Sequence, residues 1–298
     1  MRTDEYDFSF IIPCLSWYSI VMHKNPVISY YHTFESKLGY RLLGGVKHFG
    51  YYPVDQENIP TLQAQELMDE QLAQTLALPE ESQVLDAGCG EGGVAFYLVK
   101  HHSLNVTGVD LLDFNIAKAK RGAKRQGLTS KVSFLEADYS NTRLPDSSFD
   151  GIYTMETLVH SPNYRKTLSE FYRLLKPGGK LVHFEYSMAP NMPVEAKQAV
   201  TRVNRLAAMP AFNEFTYGTL ENALETSGFE SVHSWDITER MLPLLRKFER
   251  KARLPYRIAT WLQLQDHFVN AMSAVVLTKH INLWRYNIIS ATKPSDKR

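Results

Sequence analysis

The sequence predicts an α/β fold, a doubly wound and mostly parallel sheet of seven strands with a helical cap and an N-terminal helical extension. Short apolar segments alternate with helical segments from residue 83 to about residue 187, as in a parallel sheet with crossover helices. A glycine-rich turn follows the first apolar segment, and later segments end in acids. With 298 residues, of which 44% are hydrophobic, the chain is long enough for a full core.

The N-terminal part is expected to lie outside the sheet. Residues 1–60 are rich in aromatic side chains and are predicted to form a lid or an oligomerisation segment. Residues 8–22 are apolar, but they are too few to span a bilayer and are interrupted by Pro13. Asp4, Glu5 and Asp7 stand where a signal peptide carries basic residues. No integral membrane segment is therefore expected.

A helix over residues 61–78 is predicted to lead into the first strand, which ends at Asp86 and Ala87. The turn Gly88-x-Gly90-x-x-Gly93 comes next and opens a helix. Glycines permit positive φ and let a ligand lie against the backbone, and the helix start offers free N–H groups. This pattern alone also fits a dinucleotide site. Asp86 disfavours a pyrophosphate and favours a ligand with an ammonium group.

The next elements repeat the strand–acid pattern. Residues 104–110 are predicted to form a strand ending in Asp110, whose carboxylate can accept hydrogen bonds from ribose hydroxyls. A helix over residues 113–127 follows, and then a third strand ending in Asp138 and Tyr139. A fourth strand begins at residue 149, and a helix over residues 162–175 leads into the fifth.

The alternation changes after the fifth strand. Residues 216–227 are predicted to be helical, and residues 229–235 and 283–290 to form the last two strands. Two segments, at about 190–212 and 238–280, look like helical insertions, and about 45 residues are too many for an ordinary connection. We therefore expect a catalytic domain over residues 61–298 that carries two cap insertions.

The composition indicates which kinds of ligand and partner the protein can have. There are 33 Lys and Arg residues against 32 Asp and Glu residues, and no dense basic run, so a nucleic-acid substrate is disfavoured. The two cysteines cannot form a disulfide framework, which is typical of a reducing cytoplasm. No metal-ligand spacing is convincing, so no metal is expected. The apolar N-terminal segment indicates a possible homo-oligomer.

Taken together, the glycine turn and the ordered acids resemble class I methyltransferases over about residues 60–190. The resemblance implies S-adenosylmethionine as the cofactor. In that family the acid after the third strand accepts a hydrogen bond from the adenine amino group, and its neighbour flanks the ring. The cofactor-binding residues implied here are Tyr31, Asp86, Gly88, Gly90, Asp110, Leu111, Asp138, Tyr139 and Met155.

Three further segments resemble sterol C-methyltransferases and related small-molecule enzymes. They are the aromatic residues 29–34 with residues 48–52, the acid-to-histidine segment 155–162, and residues 184–188. A Trp-Gly pair usual between the aromatics and the histidine is missing, with residues 42–45 reading Leu-Leu-Gly-Gly, which puts a sterol substrate in doubt. The resemblance implies a hydrophobic small-molecule substrate.

The chemistry of alkene methylation suggests roles for these residues. Attack of an alkene on a sulfonium methyl group leaves a carbocation, which aromatic faces stabilise and a base quenches. We expect Glu156 or Glu185 to be the base, with His160 as its helper or orienter. Tyr30 is also expected in the catalytic group, and Tyr30, Tyr31 and His48 are expected to line the pocket mouth or to touch the cofactor. C-methylation of an isoprenoid is the leading hypothesis. The alternatives are N- or O-methylation of a hydrophobic natural product and a non-catalytic cofactor-binding protein.

Overall fold

The computed structural model describes residues 25–33, 35–36 and 48–295. Most of the predicted N-terminal lid, including the apolar residues 8–22, lies outside the described residues. The helical segment Pro26–His32 (α1) belongs to the described part. It begins after Asn25, whose side chain accepts a hydrogen bond from the N–H of Val27.

A seven-stranded sheet forms the centre of the molecule, with the strands in the order β3-β2-β1-β4-β5-β7-β6. All pairings are parallel except those of β7, which runs antiparallel to both β5 and β6. The strands are β1 Gln83–Ala87, β2 Asn105–Asp110, β3 Val132–Glu136, β4 Phe149–Met155, β5 Leu175–Met188, β6 Glu230–Asp236 and β7 Trp284–Thr292. The predicted fold class is confirmed.

Helices connect these strands. They are α2 Thr61–Leu76, α3 Gly93–His102, α4 Asp113–Gln126, α5 Tyr164–Leu174, α6 Val194–Leu206, α7 Thr219–Thr226, α8 Thr238–Trp261 and α9 Val269–Lys279. The central strands are buried on both faces because helices cover the sheet on each side, as the fully buried Val84 and Leu85 of β1 and Ile152 of β4 show.

Two strand and helix ends differ from the sequence expectation. Asp138 was expected at the end of the third strand, but β3 ends at Glu136 and Asp138 follows in a turn. The helix expected from residue 162 begins at Tyr164, because Leu158–His160 first forms a short 3-10 turn and the Asn163 side chain caps the helix by accepting from the N–H of Lys166.

The strand order places the crevice of the fold. The order in which strands are added reverses at β1: β2 and β3 are added on one side of it, and β4 then lies on its other side. Ligands of open α/β sheets bind at the carboxyl ends of the strands at this reversal. The helices α6, α8 and α9 come from the two segments expected as insertions, and their role as a cap remains a prediction. No helix in the described ranges is long and apolar enough to cross a membrane.

Candidate active site

A cavity of about 650 Å³ lies at the carboxyl ends of β1, β2 and β4. Its wall contains all nine residues that the sequence suggests for the cofactor: Tyr31, Asp86, Gly88, Gly90, Asp110, Leu111, Asp138, Tyr139 and Met155. Of the four suggested catalytic residues, Glu156 and His160 line it. Glu185 and Tyr30 are not part of its wall, whereas His48 is.

The glycine turn after β1 forms the floor of the cavity. Gly88 and Gly90 adopt positive φ angles of 93° and 53°, as the sequence predicts. A Cβ on Gly88 would lie 2.7 Å from the side chain of Thr157, so the residue must be glycine for this approach as well as for its φ. The Thr157 hydroxyl donates to the carbonyl of Ala87 at 2.7 Å, which ties the turn to the loop after β4.

Asp110, at the end of β2, is bonded to the same turn. Its Oδ2 accepts from the N–H of Gly90 at 2.8 Å, and its Oδ1 accepts from the N–H of Leu112 at 2.8 Å. Burial raises the pKa of this carboxyl, and the two backbone donors oppose that effect. The carboxylate is thus fixed at the cavity wall by the backbone on both sides.

Asp86 is almost fully buried beneath the turn. Burial raises its pKa to about 7, the Tyr153 hydroxyl opposes the shift, and the negative charge of Asp110 adds to it.

His48 is also buried, with Nε2 3.2 Å from Asp69 Oδ1. Burial alone would lower the His48 pKa, but the Asp69 carboxylate raises it.

These acids suit a cationic ligand. Within the described part of the chain, no salt bridge neutralises Asp86, Asp110 or Asp138, although all three face the cavity. The glycine turn supplies backbone that a ligand can touch. S-adenosylmethionine, with its ammonium and sulfonium groups, ribose and adenine, therefore fits the residues present.

Glu156 follows β4 with a positive φ of 58° and is held by three donors. Its Oε1 accepts from the N–H of Phe49 at 2.7 Å and from the hydroxyl of Tyr286 at 2.8 Å. Its Oε2 accepts from the hydroxyl of Tyr186. Burial raises the Glu156 pKa, and these donors counteract the rise. The rings of Phe49, Tyr186 and Tyr286 also contact one another, with centroids 5.2–6.4 Å apart.

His160 links three walls of the cavity. Its Nδ1 lies 2.8 Å from the carbonyl of Ala208, so this nitrogen is the donor in the neutral ring. Its Nε2 is then an acceptor, and it lies 3.1 Å from the Tyr31 hydroxyl. The bonds join the turn after β4 to α1 on one side and to the residues after α6 on the other.

Glu185 is fully buried in β5 and bonds to backbone instead of facing the cavity. Its Oε1 accepts from the N–H of Leu158 at 2.6 Å, at the start of the turn that carries His160. Burial raises its pKa well above the ordinary value.

Tyr30 is also absent from the cavity wall, and its hydroxyl donates to Asn270 Oδ1 of α9 at 2.7 Å. Its pKa is raised by burial and by the charge of Glu35.

Several residues of the cavity wall were not predicted from the sequence. The end of α6 and the residues after it contribute Asn204, Arg205, Met209, Pro210 and Asn213. These residues belong to the predicted insertion at 190–212 and the residue just after it, so the position of the insertion was the only signal available. Among the described residues, no group of acidic, histidine or cysteine side chains could hold a metal ion.

Comparison with known proteins agrees with this geometry. The model of a methyltransferase domain matches residues 84–179, from β1 to the start of β5. The chain is 34% identical over 275 residues to the S-adenosyl-L-methionine-dependent Diels-Alderase iccD of Talaromyces variabilis, covering 89% of this chain and 94% of that protein. The chain belongs to the S-adenosylmethionine-dependent methyltransferase family.

Two further similarities concern the sequence and the fold. The sterol 24-C-methyltransferase erg6 of Aspergillus fumigatus is 33% identical over 184 residues, which is 61% of this chain but 48% of that enzyme. Among solved structures, the 4+2 cyclase SpnF superposes with a TM-score of 0.73 at 24% identity, covering 87% of this chain and 93% of SpnF. The expected family, fold and cofactor are thereby confirmed, and methyl transfer itself is not, because a full-length relative is named a Diels-Alderase.

Proposed function

We propose that this enzyme binds S-adenosylmethionine and catalyses a Diels–Alder cyclisation of an apolar polyene without consuming the cofactor. Such a reaction forms two carbon–carbon σ bonds and one new π bond from three π bonds of the substrate. No atom or proton leaves the substrate. The proposal goes beyond the family assignment and replaces methyl transfer as the leading hypothesis.

The proposal rests on the hydrogen bonds that the two candidate bases in the cavity wall already make. Glu156 already accepts three hydrogen bonds, and both ring nitrogens of His160 are engaged. Three of the four acceptor positions of the Glu156 carboxylate are therefore occupied, and protonation of His160 at Nε2 would require the Tyr31 hydroxyl to become the acceptor of their hydrogen bond. A cyclisation needs no base, so these bonds can persist through turnover and keep the walls fixed. The likeness to a Diels-Alderase over nearly its whole length supports the same reading.

The chain's own contribution is then positioning. The cavity can hold the diene and the dienophile of a flexible substrate close together in the reactive orientation. Such preorganisation lowers the activation free energy, because the substrate has already lost the conformational freedom that the reaction requires it to lose. His160 fixes Tyr31 over the cavity, while Asp86, Asp110 and Asp138 hold the cofactor. When bound, S-adenosylmethionine supplies a fixed positive charge and, for a transferase, a methyl group.

A second candidate is C-methylation of an isoprenoid alkene through a carbocation. The likeness to a sterol 24-C-methyltransferase supports it, as does the aromatic group formed by Phe49, Tyr186 and Tyr286 around Glu156. In this reaction an alkene carbon would bond to the methyl carbon of S-adenosylmethionine while the methyl–sulfur bond breaks and S-adenosylhomocysteine leaves. Glu156, as the carboxylate in the cavity wall, would then take a proton from a carbon next to the carbocation. Glu185 is the weaker choice because it does not line the cavity.

The two candidates differ in the mass of the product. We would incubate the purified enzyme with linear polyenes carrying a dienophile, and separately with prenyl and polycyclic compounds, each with S-adenosylmethionine. A product of unchanged mass that carries a new ring supports the proposal. A product heavier by one methylene unit supports methyl transfer, and NMR then distinguishes C- from N- or O-methylation. Cofactor binding with no turnover of any compound would indicate a non-catalytic protein.

A further inference from the structure

The carboxyl-terminal half of α8 and the segment that follows it expose apolar side chains to an unusual degree. Of the eleven exposed large apolar side chains in the described residues, six lie between residues 254 and 268: Leu254, Ile258, Trp261, Leu262, Leu264 and Phe268. Trp261 is 82% exposed and Leu254 64%. Single exposed apolar residues are ordinary, whereas a contiguous group indicates an interaction surface.

Helix geometry places three of them together. Leu254, Ile258 and Trp261 are spaced by four and three residues, so they lie on one face of α8, which we call the apolar face. Met241, Leu245 and Ala259, on another side of the helix, are buried against the domain. The helix is thus packed on one side and apolar again on its outer side.

Cations border the apolar face. Residues 246–262 contain six Lys or Arg residues and a single acid, Glu249, which is buried and bonded to Arg253 at 2.7 Å. At 100° per residue, Arg250 and Arg257 fall on one side of the apolar face and Lys251 on the other. All three are exposed. The whole chain carries a net charge of only +1, so this is a local concentration of positive charge.

We propose that the apolar face of α8 and its bordering cations dock this protein on the surface of an anionic lipid bilayer. A helix in the interface plane buries its apolar face among the acyl chains and places Lys and Arg at the headgroups, with Trp favoured at that depth. A second copy of the chain fits poorly, because like charges would meet around the same face.

The docking segment is connected to the cavity. The N–H groups of Asn270 and Ala271, just after Phe268, donate to the carboxylate of Glu35 at 3.0 Å each. Asn270 also accepts from Tyr30, the neighbour of the wall residue Tyr31. On the other side, Arg202 of α6 pairs with Asp266 at 2.6 Å. The proposed docking segment therefore contacts Tyr30 of α1 and Arg202 of α6, two helices that also contribute residues to the cavity wall.

Vesicle co-sedimentation of the full chain tests this inference. We expect binding to phosphatidylcholine vesicles that contain phosphatidylserine, weaker binding to pure phosphatidylcholine, and a loss of binding as salt is raised. The Arg250→Gln/Lys251→Gln variant should bind about 30-fold more weakly, at the usual gain per cation near a charged surface. Ile258→Ser/Trp261→Ser should bind at least roughly tenfold more weakly. The Trp261 fluorescence should shift to the blue on binding, and Trp261→Phe should abolish that shift.

The matched control lies on α4, a helix that is also basic but exposes no comparable group of apolar residues among its described positions. Lys124→Gln/Arg125→Gln removes two exposed cations there and should leave binding unchanged. The inference is overturned if the full chain ignores anionic vesicles, or if the α4 and α8 variants lose binding equally. Charge-dependent capture of an acidic protein together with indifference to vesicles would likewise overturn it and assign the surface to a protein partner.

Discussion

Tyr31 donates its hydroxyl to Nε2 of His160 across 3.1 Å, and the opposite nitrogen of that ring bonds to the carbonyl of Ala208. The His160 side chain thus joins α1, the loop after the fourth strand and the segment after α6. Because all three segments line the cavity, we expect these two bonds to hold its walls in place.

Tyr31→Phe keeps the ring and removes the bond to His160. We expect the affinity for S-adenosylmethionine to fall about fivefold, the usual value of one neutral hydrogen bond, as measured by titration calorimetry. Tyr30→Phe is the matched control, since it removes one hydroxyl bond from a neighbour that lies outside the cavity wall. Equal losses in both variants would contradict the positioning role of His160.

Asp110→Asn should weaken cofactor binding by at least tenfold. The amide keeps the shape of the side chain but loses the charge and one acceptor atom, and charge-assisted bonds are about twice as strong as neutral ones. Calorimetry measures the effect. Asp113→Asn, an exposed acid three residues on, serves as the control and should bind the cofactor normally. Unchanged binding by Asp110→Asn would remove Asp110 from the cofactor site.

Cofactor binding should depend on pH through Asp86. Burial raises the pKa of this carboxyl to about 7, so the ligand-free protein holds a proton there at lower pH. The ionised form binds the cationic cofactor, and affinity should therefore fall about tenfold for each pH unit below 7 and level off above it. Calorimetry in buffers of different ionisation enthalpy should detect proton release on binding near pH 6. Asp86→Asn should bind weakly with a flat profile, and a sloping profile in that variant would assign the effect to another group.

Glu185 should contribute to stability and not to turnover. Burial raises the pKa of this carboxyl, and Glu185→Gln keeps an oxygen that can accept from the N–H of Leu158, so this variant should unfold at nearly the wild-type urea concentration. Glu185→Ala leaves a cavity and unpaired backbone donors, and should cost about 2–5 kcal/mol in the free energy of unfolding. A folded Glu185→Gln protein without activity would restore Glu185 as a catalytic candidate.

Much of the cofactor site was predictable because parallel strands align their carboxyl ends. Acids such as Asp86, Asp110 and Asp138, placed one after another in the sequence, meet at one edge for that reason alone. The roles of Glu156 and Glu185 were not separable, because both follow apolar strand residues and only packing decides which one faces the cavity. The cap residues Asn204 and Met209 had no local signal, since their position depends on how α6 lies over the sheet.

The ratio of S-adenosylhomocysteine formed to product formed shows whether the enzyme consumes its cofactor. With a polyene that the enzyme converts and a limiting amount of S-adenosylmethionine, both compounds would be quantified by chromatography and mass spectrometry. We expect many product molecules for each molecule of cofactor, with the S-adenosylmethionine recovered intact. One S-adenosylhomocysteine for each product molecule would contradict this expectation and establish methyl transfer.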